Sequence, residues 1–120
     1  MITDAADAVV AALTAEGLNV AVRSGDITAP VVYLQIGAVS DLGATLTGGV
    51  VVTFWCFYIP VRGLDNLAAD ADALDRLYAA LAPLGATELV TTRTSVTVNQ
   101  DTWPCYRADA AVMALTPQEA

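Results

Sequence analysis

Val50-Val51-Val52-Thr53-Phe54-Trp55-Cys56-Phe57-Tyr58-Ile59-Pro60 decides the fold of this chain. The run is β-branched and aromatic, the composition that suits a pleated strand. Side chains alternate across a strand, so Val50, Val52, Phe54, Cys56 and Tyr58 share one face. Val51, Thr53, Trp55, Phe57 and Ile59 share the other. Neither face is polar, which marks a strand covered on both sides. Two arrangements satisfy that demand. Helices lie on both faces, or a neighbouring subunit covers one of them.

Working outward, Pro60 to Gly63 ends the strand, and Asp65 or Asn66 caps a helix running to about Ala82. Leu67, Ala71, Leu74, Tyr78 and Leu81 recur at helical spacing and form its expected apolar stripe, with Leu77 alongside. Asp70, Asp72, Asp75 and Arg76 fall off that stripe. Pro83 and Gly85 stop the helix. The last third reads as a hairpin with its turn between Asn99 and Trp103. A turn centred on Asp101 sets Arg93 opposite Asp109 and Ser95 opposite Arg107, a cross-strand charge pattern worth about 0.2–1 kcal/mol. Upstream, residues 4–16 read as a helix with Thr3 as N-cap, Asp4 and Asp7 in the first turn and Gly17 as its stop. Residues 18–23 and 31–37 alternate as strands. Residues 38–49 are small and polar, either a loop or the two arms of an extended hairpin. The order is α-β-β-β-α-β-β, without βαβ alternation. It predicts a single α+β domain, with a mixed or antiparallel sheet of about five strands and two helices packed on it.

Composition narrows the chemistry. The chain has 120 residues, 56% hydrophobic and 15% charged, with 13 acidic against 5 basic residues and a net charge of −8. Duplex nucleic acid is a poor partner for such a chain, because phosphate binding needs a basic patch. All five basic residues are arginine; there is no lysine and no histidine. Ser–His–Asp and Cys–His catalysis are therefore excluded within one chain. Cys56 and Cys105 are too few for a disulfide scaffold and too far apart in sequence for a zinc knuckle, and they read as buried free thiols. A disulfide between them is the alternative. The Asp70, Asp72 and Asp75 cluster reads as a solvated helix face. Gly43 and Gly48-Gly49 form no phosphate loop. No metal or cofactor site is expected. The start, Met-Ile-Thr-Asp-Ala-Ala-Asp, lacks the basic region of a signal peptide. The apolar run ending at Ile59 is shorter than the ~20 residues of a spanning helix. No membrane role is expected, and synthesis in a reducing cytosol is.

One passage carries a resemblance. The aromatic strand ending Tyr58-Ile59-Pro60-Val61, followed by Leu64 to Leu81 with Ala68-Ala69, Leu74-Asp75 and Leu77-Tyr78, resembles the central unit of tail terminator proteins. These are the tail completion, or minor tail, proteins of long-tailed bacteriophages. The likeness extends over most of the chain as an order of elements. It implies a structural, non-enzymatic subunit of a hexameric ring, made in the host cytoplasm and carried in the virion. That ring would cap the head-proximal end of the tail tube, stop its polymerisation and dock the head connector. An acidic, lysine-free chain would let genomic DNA pass without binding it. The resemblance transfers no individual functional residue. Candidate interface residues come from expected exposure instead: the 38–49 segment with Asp41 and Leu42, then Arg62, Arg93, Trp103 and Arg107. Trp103, before Pro104 in the expected turn, reads either as locally packed or as a binding anchor.

Three rival readings share these observations. A head-closure or head–tail joining protein would sit on the other side of the same joint. A small-molecule-binding α+β module would need a pocket of roughly 300–1,000 Å³ with convergent polar groups. A small enzyme could build a site between subunits from Asp and Arg residues.

Overall fold

The computed structural model describes residues 2–41, 49–61, 67–84 and 91–115. The long apolar run forms β3 (Gly49–Ile59) at the centre of a five-stranded mixed sheet. The other elements are α1 (Ile2–Ala15), β1 (Val20–Ala21), β2 (Val31–Asp41), α2 (Leu67–Leu81), β4 (Thr91–Val98) and β5 (Asp101–Leu115), and the strands lie in the order β1-β2-β3-β5-β4. The expected α+β class and element order are both present. Among the described residues only β1 runs parallel to its neighbour, and the other three pairings are antiparallel.

Both helices pack on one face of the sheet. Val9 and Leu13 of α1, and Leu77 and Leu81 of α2, meet Val52, Phe54, Cys56 and Tyr58 of β3 and Ala108 and Ala110 of β5. The opposite face buries a second cluster at one end only. There Val31, Tyr33, Phe57, Ile59 and Cys105 lie under Ile27, Ala29, Val96, Val98 and Trp103. Of the two arrangements the sequence left open, the chain itself thus covers the helix face and only one end of the other. Toward the other end the helix-side cluster still covers Val50 and Val52 of β3 and Val112 of β5, but β2 lies bare. Ala38, Val39 and Ser40 are all exposed although they alternate across the strand. The strands extend here as a hairpin arm, and the molecule measures 53 × 29 × 21 Å along its principal axes.

Several elements depart from expectation for local reasons. The first helix begins at Ile2, so Thr3 lies inside it rather than capping it. Its end follows the Schellman pattern, with the Leu18 amide donating to the Leu13 carbonyl (3.2 Å) and the Gly17 amide to the Thr14 carbonyl (3.0 Å). Gly17 has φ +81°, the left-handed conformation that glycine adopts without strain. Leu18 is taken up by that closure and packs on the helix cluster. The strand expected over 18–23 therefore shrinks to two residues. The strand expected over 31–37 instead continues to Asp41, and β3 begins at Gly49, so the flanks of the 38–49 segment are hairpin arms. A bulge between Ile36 and Ala38 lets Gly37 slip out of register.

The helix stripe and the hairpin register are corrections. In α2 the buried residues are Ala73, Leu77, Ala80 and Leu81. Leu67 is 85% exposed and Tyr78 37% exposed, so most of the expected stripe faces away from the core. Ala73 and Ala80 take part in the helix–sheet cluster, and a reading weighted toward leucine missed them. In the hairpin the turn holds just Asn99 and Gln100, with φ 50° and 71°, and Val98 pairs with Asp101. Positive φ at both central residues is the signature of a type I′ turn, whose twist matches the flanking strands. Trp103 and Pro104 consequently lie within β5, not in the turn. Pro104 sits beyond Tyr106, the last β5 residue on that side paired with β3, so its missing N–H breaks no ladder there.

Candidate interaction surface

The two-residue turn decides where the arginines go. Arg93 pairs with Tyr106 across the hairpin, on the helix face, with its guanidinium 5.9 Å from the Tyr106 ring centre. Asp109 lies on the opposite face, opposite Trp55. The expected Arg93–Asp109 pairing does not form. Moving a register by an odd number of residues sends a side chain to the other face. Ser95 likewise pairs with Pro104 rather than Arg107.

Arg107 finds Asp109 on its own strand, two residues on and on the same face. Its Nε donates to Oδ1 at 2.9 Å and its Nη2 to Oδ2 at 3.2 Å. The guanidinium also lies 4.3 Å from the centre of the Trp55 ring, a stacking that suits its planar charge. Trp55 in turn meets Phe57 edge-on at 6.3 Å. Its indole rests on Gly37, where a Cβ would overlap the indole nitrogen. Trp103 is half-buried in the cluster around Cys105, opposite Val96. Trp103 and Arg107 therefore share the open-ended face, while Arg93 sits on the helix face. The main chain of Asp41 ends β2 opposite Val50. Leu42, Arg62 and the side chain of Asp41 lie outside the described residues.

Arg76 is a structural cation that sequence reading left unassigned. Its Nη1 donates to the Glu16 carbonyl at the end of α1 (3.2 Å), and its Nε lies 3.0 Å from Asp72, one turn earlier on α2. One side chain thus satisfies an orphan helix-end carbonyl and ties the two helices together. The tie also fixes which flank of α2 faces α1. Leu67, Ala71, Leu74 and Tyr78 lie on the other flank.

Neither cysteine is set up as a nucleophile. Cys56 belongs to the helix-side cluster and Cys105 to the opposite one, and both are free. The disulfide alternative is ruled out by those opposite faces. Burial, and secondarily the charge of Asp109, pushes the Cys56 thiol up to about 12. Burial pushes Cys105 up to about 11. A thiolate is the reactive form, so both are inert at neutral pH. Among the described residues no group of three His, Cys, Asp or Glu side chains is placed to hold a metal ion. Two of the surface clefts lie beside the helices. One, of about 250 Å³, lies between Gly17, Asn19, Asp72 and Arg76. The other, of about 640 Å³, runs between Ala6, Asp7 and Val10 of α1 and Leu34 to Ile36 of β2. Among the described residues no helix is long and apolar enough to cross a membrane.

The sequence matches no protein-family model and no curated protein.

Proposed function

We propose that this chain is a structural subunit of a long-tailed bacteriophage, a tail terminator that closes the head-proximal end of the tail tube as a ring. The observation that carries the reading is the half-covered sheet. Both helices lie on one face, and the arm end of the other carries exposed Ala111 and Met113 beside Val51. A monomer gains little from such a surface, and a subunit of a ring buries it against its neighbour. The strand–helix unit from Tyr58 to Tyr78 supports the same reading. A net charge of −8 also suits a passage that DNA crosses without sticking.

The test uses the tail tube protein encoded by the same genome. Tubes polymerised in the presence of this protein should stop growing and carry a ring at one end under the electron microscope. An unchanged length distribution, with bare ends, overturns the proposal. Binding to the head connector with no effect on tubes would favour a head-closure role instead.

A further inference from the structure

We propose that the outer flank of α2 in one copy docks on the open arm face of the sheet in the next, head to tail. The inference rests on the reading of the chain as a ring-forming subunit and names the two surfaces that would meet. On one side stands a second apolar stripe on α2. Leu67, 85% exposed, is joined by exposed Ala71 and by Tyr78, 37% exposed, while half-buried Leu74 beside them packs on the chain's own core. The helix therefore has one apolar face turned to its own sheet and another turned outward. On the other side stands the arm. Its open face presents Val51, Thr53, Ala111 and Met113, the last 60% exposed, and among these there is no charge.

Each surface supplies what the other lacks. A sheet face is ordinarily closed by a helix layer, and a helix stripe by a sheet or another helix. Here the bare sheet face and the surplus stripe belong to one chain, on different sides of the molecule. Such a pair makes a heterologous contact, which propagates into a ring or a filament rather than closing as a two-fold dimer.

Charge favours the same match. In a chain of net charge −8, the arm face is nearly neutral, because Asp109 is balanced by Arg107. The stripe is bordered by two carboxylates, Asp70, which accepts from the Tyr106 hydroxyl, and the exposed Asp75. The arm face leads into Arg107, which uses Nε and Nη2 on Asp109. Its Nη1 donors can serve a second carboxylate, and Asp75 of the next copy supplies it.

The experiment is light scattering over a concentration series on the full chain and two variants. Leu67→Lys spoils the stripe and Met113→Lys spoils the arm. Wild type is expected to assemble beyond a dimer. Each variant alone is expected to stay monomeric with its melting temperature kept. An equimolar mixture retains one intact contact and is expected to give a one-to-one dimer that grows no further. Tyr78→Glu and Ala111→Lys repeat the test should either first variant fail to fold. Variants that assemble like wild type overturn the inference while leaving the ring intact. A mixture that stays monomeric, or a wild type that stays monomeric or stops at a dimer, also overturns it. The tube-length assay reads the functional proposal separately.

Discussion

Replacing Gly37 by alanine tests the packing that organises the open sheet face. Gly37 lies at the β2 bulge without positive φ, so the backbone itself accepts alanine. The obstacle is the Trp55 indole, which occupies the space a Cβ would take. To admit the methyl group the indole must move, and it then leaves its edge contact with Phe57 and its place under Arg107. Overpacking of this kind costs about 1–3 kcal/mol. The aromatic and cation contacts are worth about 0.5–1.5 and about 0.5–1 kcal/mol, and part of each would be lost. Against this, alanine restricts the unfolded chain and returns about 0.4–1 kcal/mol. The net expectation is a loss of about 1–3 kcal/mol. For a domain of this length that is roughly 4 °C in melting temperature for each kcal/mol. Denaturant unfolding of Gly37→Ala, Trp55→Leu and the double variant gives the cycle. In the Trp55→Leu background Gly37→Ala should be neutral or slightly stabilising, so the effect reverses sign. Equal destabilisation in both backgrounds would refute the argument, because the cost would then lie in the strand and not in the indole.

Three further expectations follow from the fold. Leu77→Ala should cost about 2–5 kcal/mol because Leu77 is fully buried, whereas Leu67→Ala should stay within about 0.5 kcal/mol of wild type; denaturant melts of the monomer compare them directly. Gln100→Gly should stabilise the hairpin by about 1 kcal/mol, because Gln100 holds φ 71° and Asn-Gly is the favoured type I′ pair. Thiol ionisation sets an alkaline limit. The folded-state values of about 12 for Cys56 and about 11 for Cys105 lie above those of an unfolded thiol. Their contribution is full below about pH 8.5 and is lost as pH rises toward the folded values. Melts from pH 8 to pH 11 should show declining stability, and a thiol reagent at pH 8 should label neither cysteine until denaturant is added.

The central strand was legible because nine apolar or aromatic residues in ten, without a polar face, have few other fates. The helices were legible by their apolar spacing, and the end of α1 by Gly17, whereas Thr3 falls inside α1 and the expected caps Asp65 and Asn66 lie outside the described residues. What failed was orientation. Leucines drew attention to the wrong flank of α2, although Ala73, Leu77 and Ala80 recur at helical spacing just as well. Periodicity alone does not choose between two apolar flanks; the tie from Arg76 to Glu16 does, and that is a tertiary contact. The hairpin failed on turn length. Asn99-Gln100 lacks glycine, so the two-residue turn was hidden and a longer one was preferred. That single choice misplaced Arg93, Trp103 and the charge pairing together. Arg107 and Asp109, two apart on one strand, were readable as neighbours on one face, but the competing cross-strand register concealed it.

The Asn99–Gln100 turn also sets a rule for changes in chain length. Adding or removing one residue there would force β4 and β5 either to bulge or to exchange faces relative to each other. An exchange would turn Trp103 and Cys105 out of their cluster and bring Thr102 and Pro104 in. Adding two residues would lengthen the loop and leave every side chain on its present face. Length variation at this tip should therefore come in steps of two, and a single inserted residue should disturb the core more than most point substitutions on the same loop.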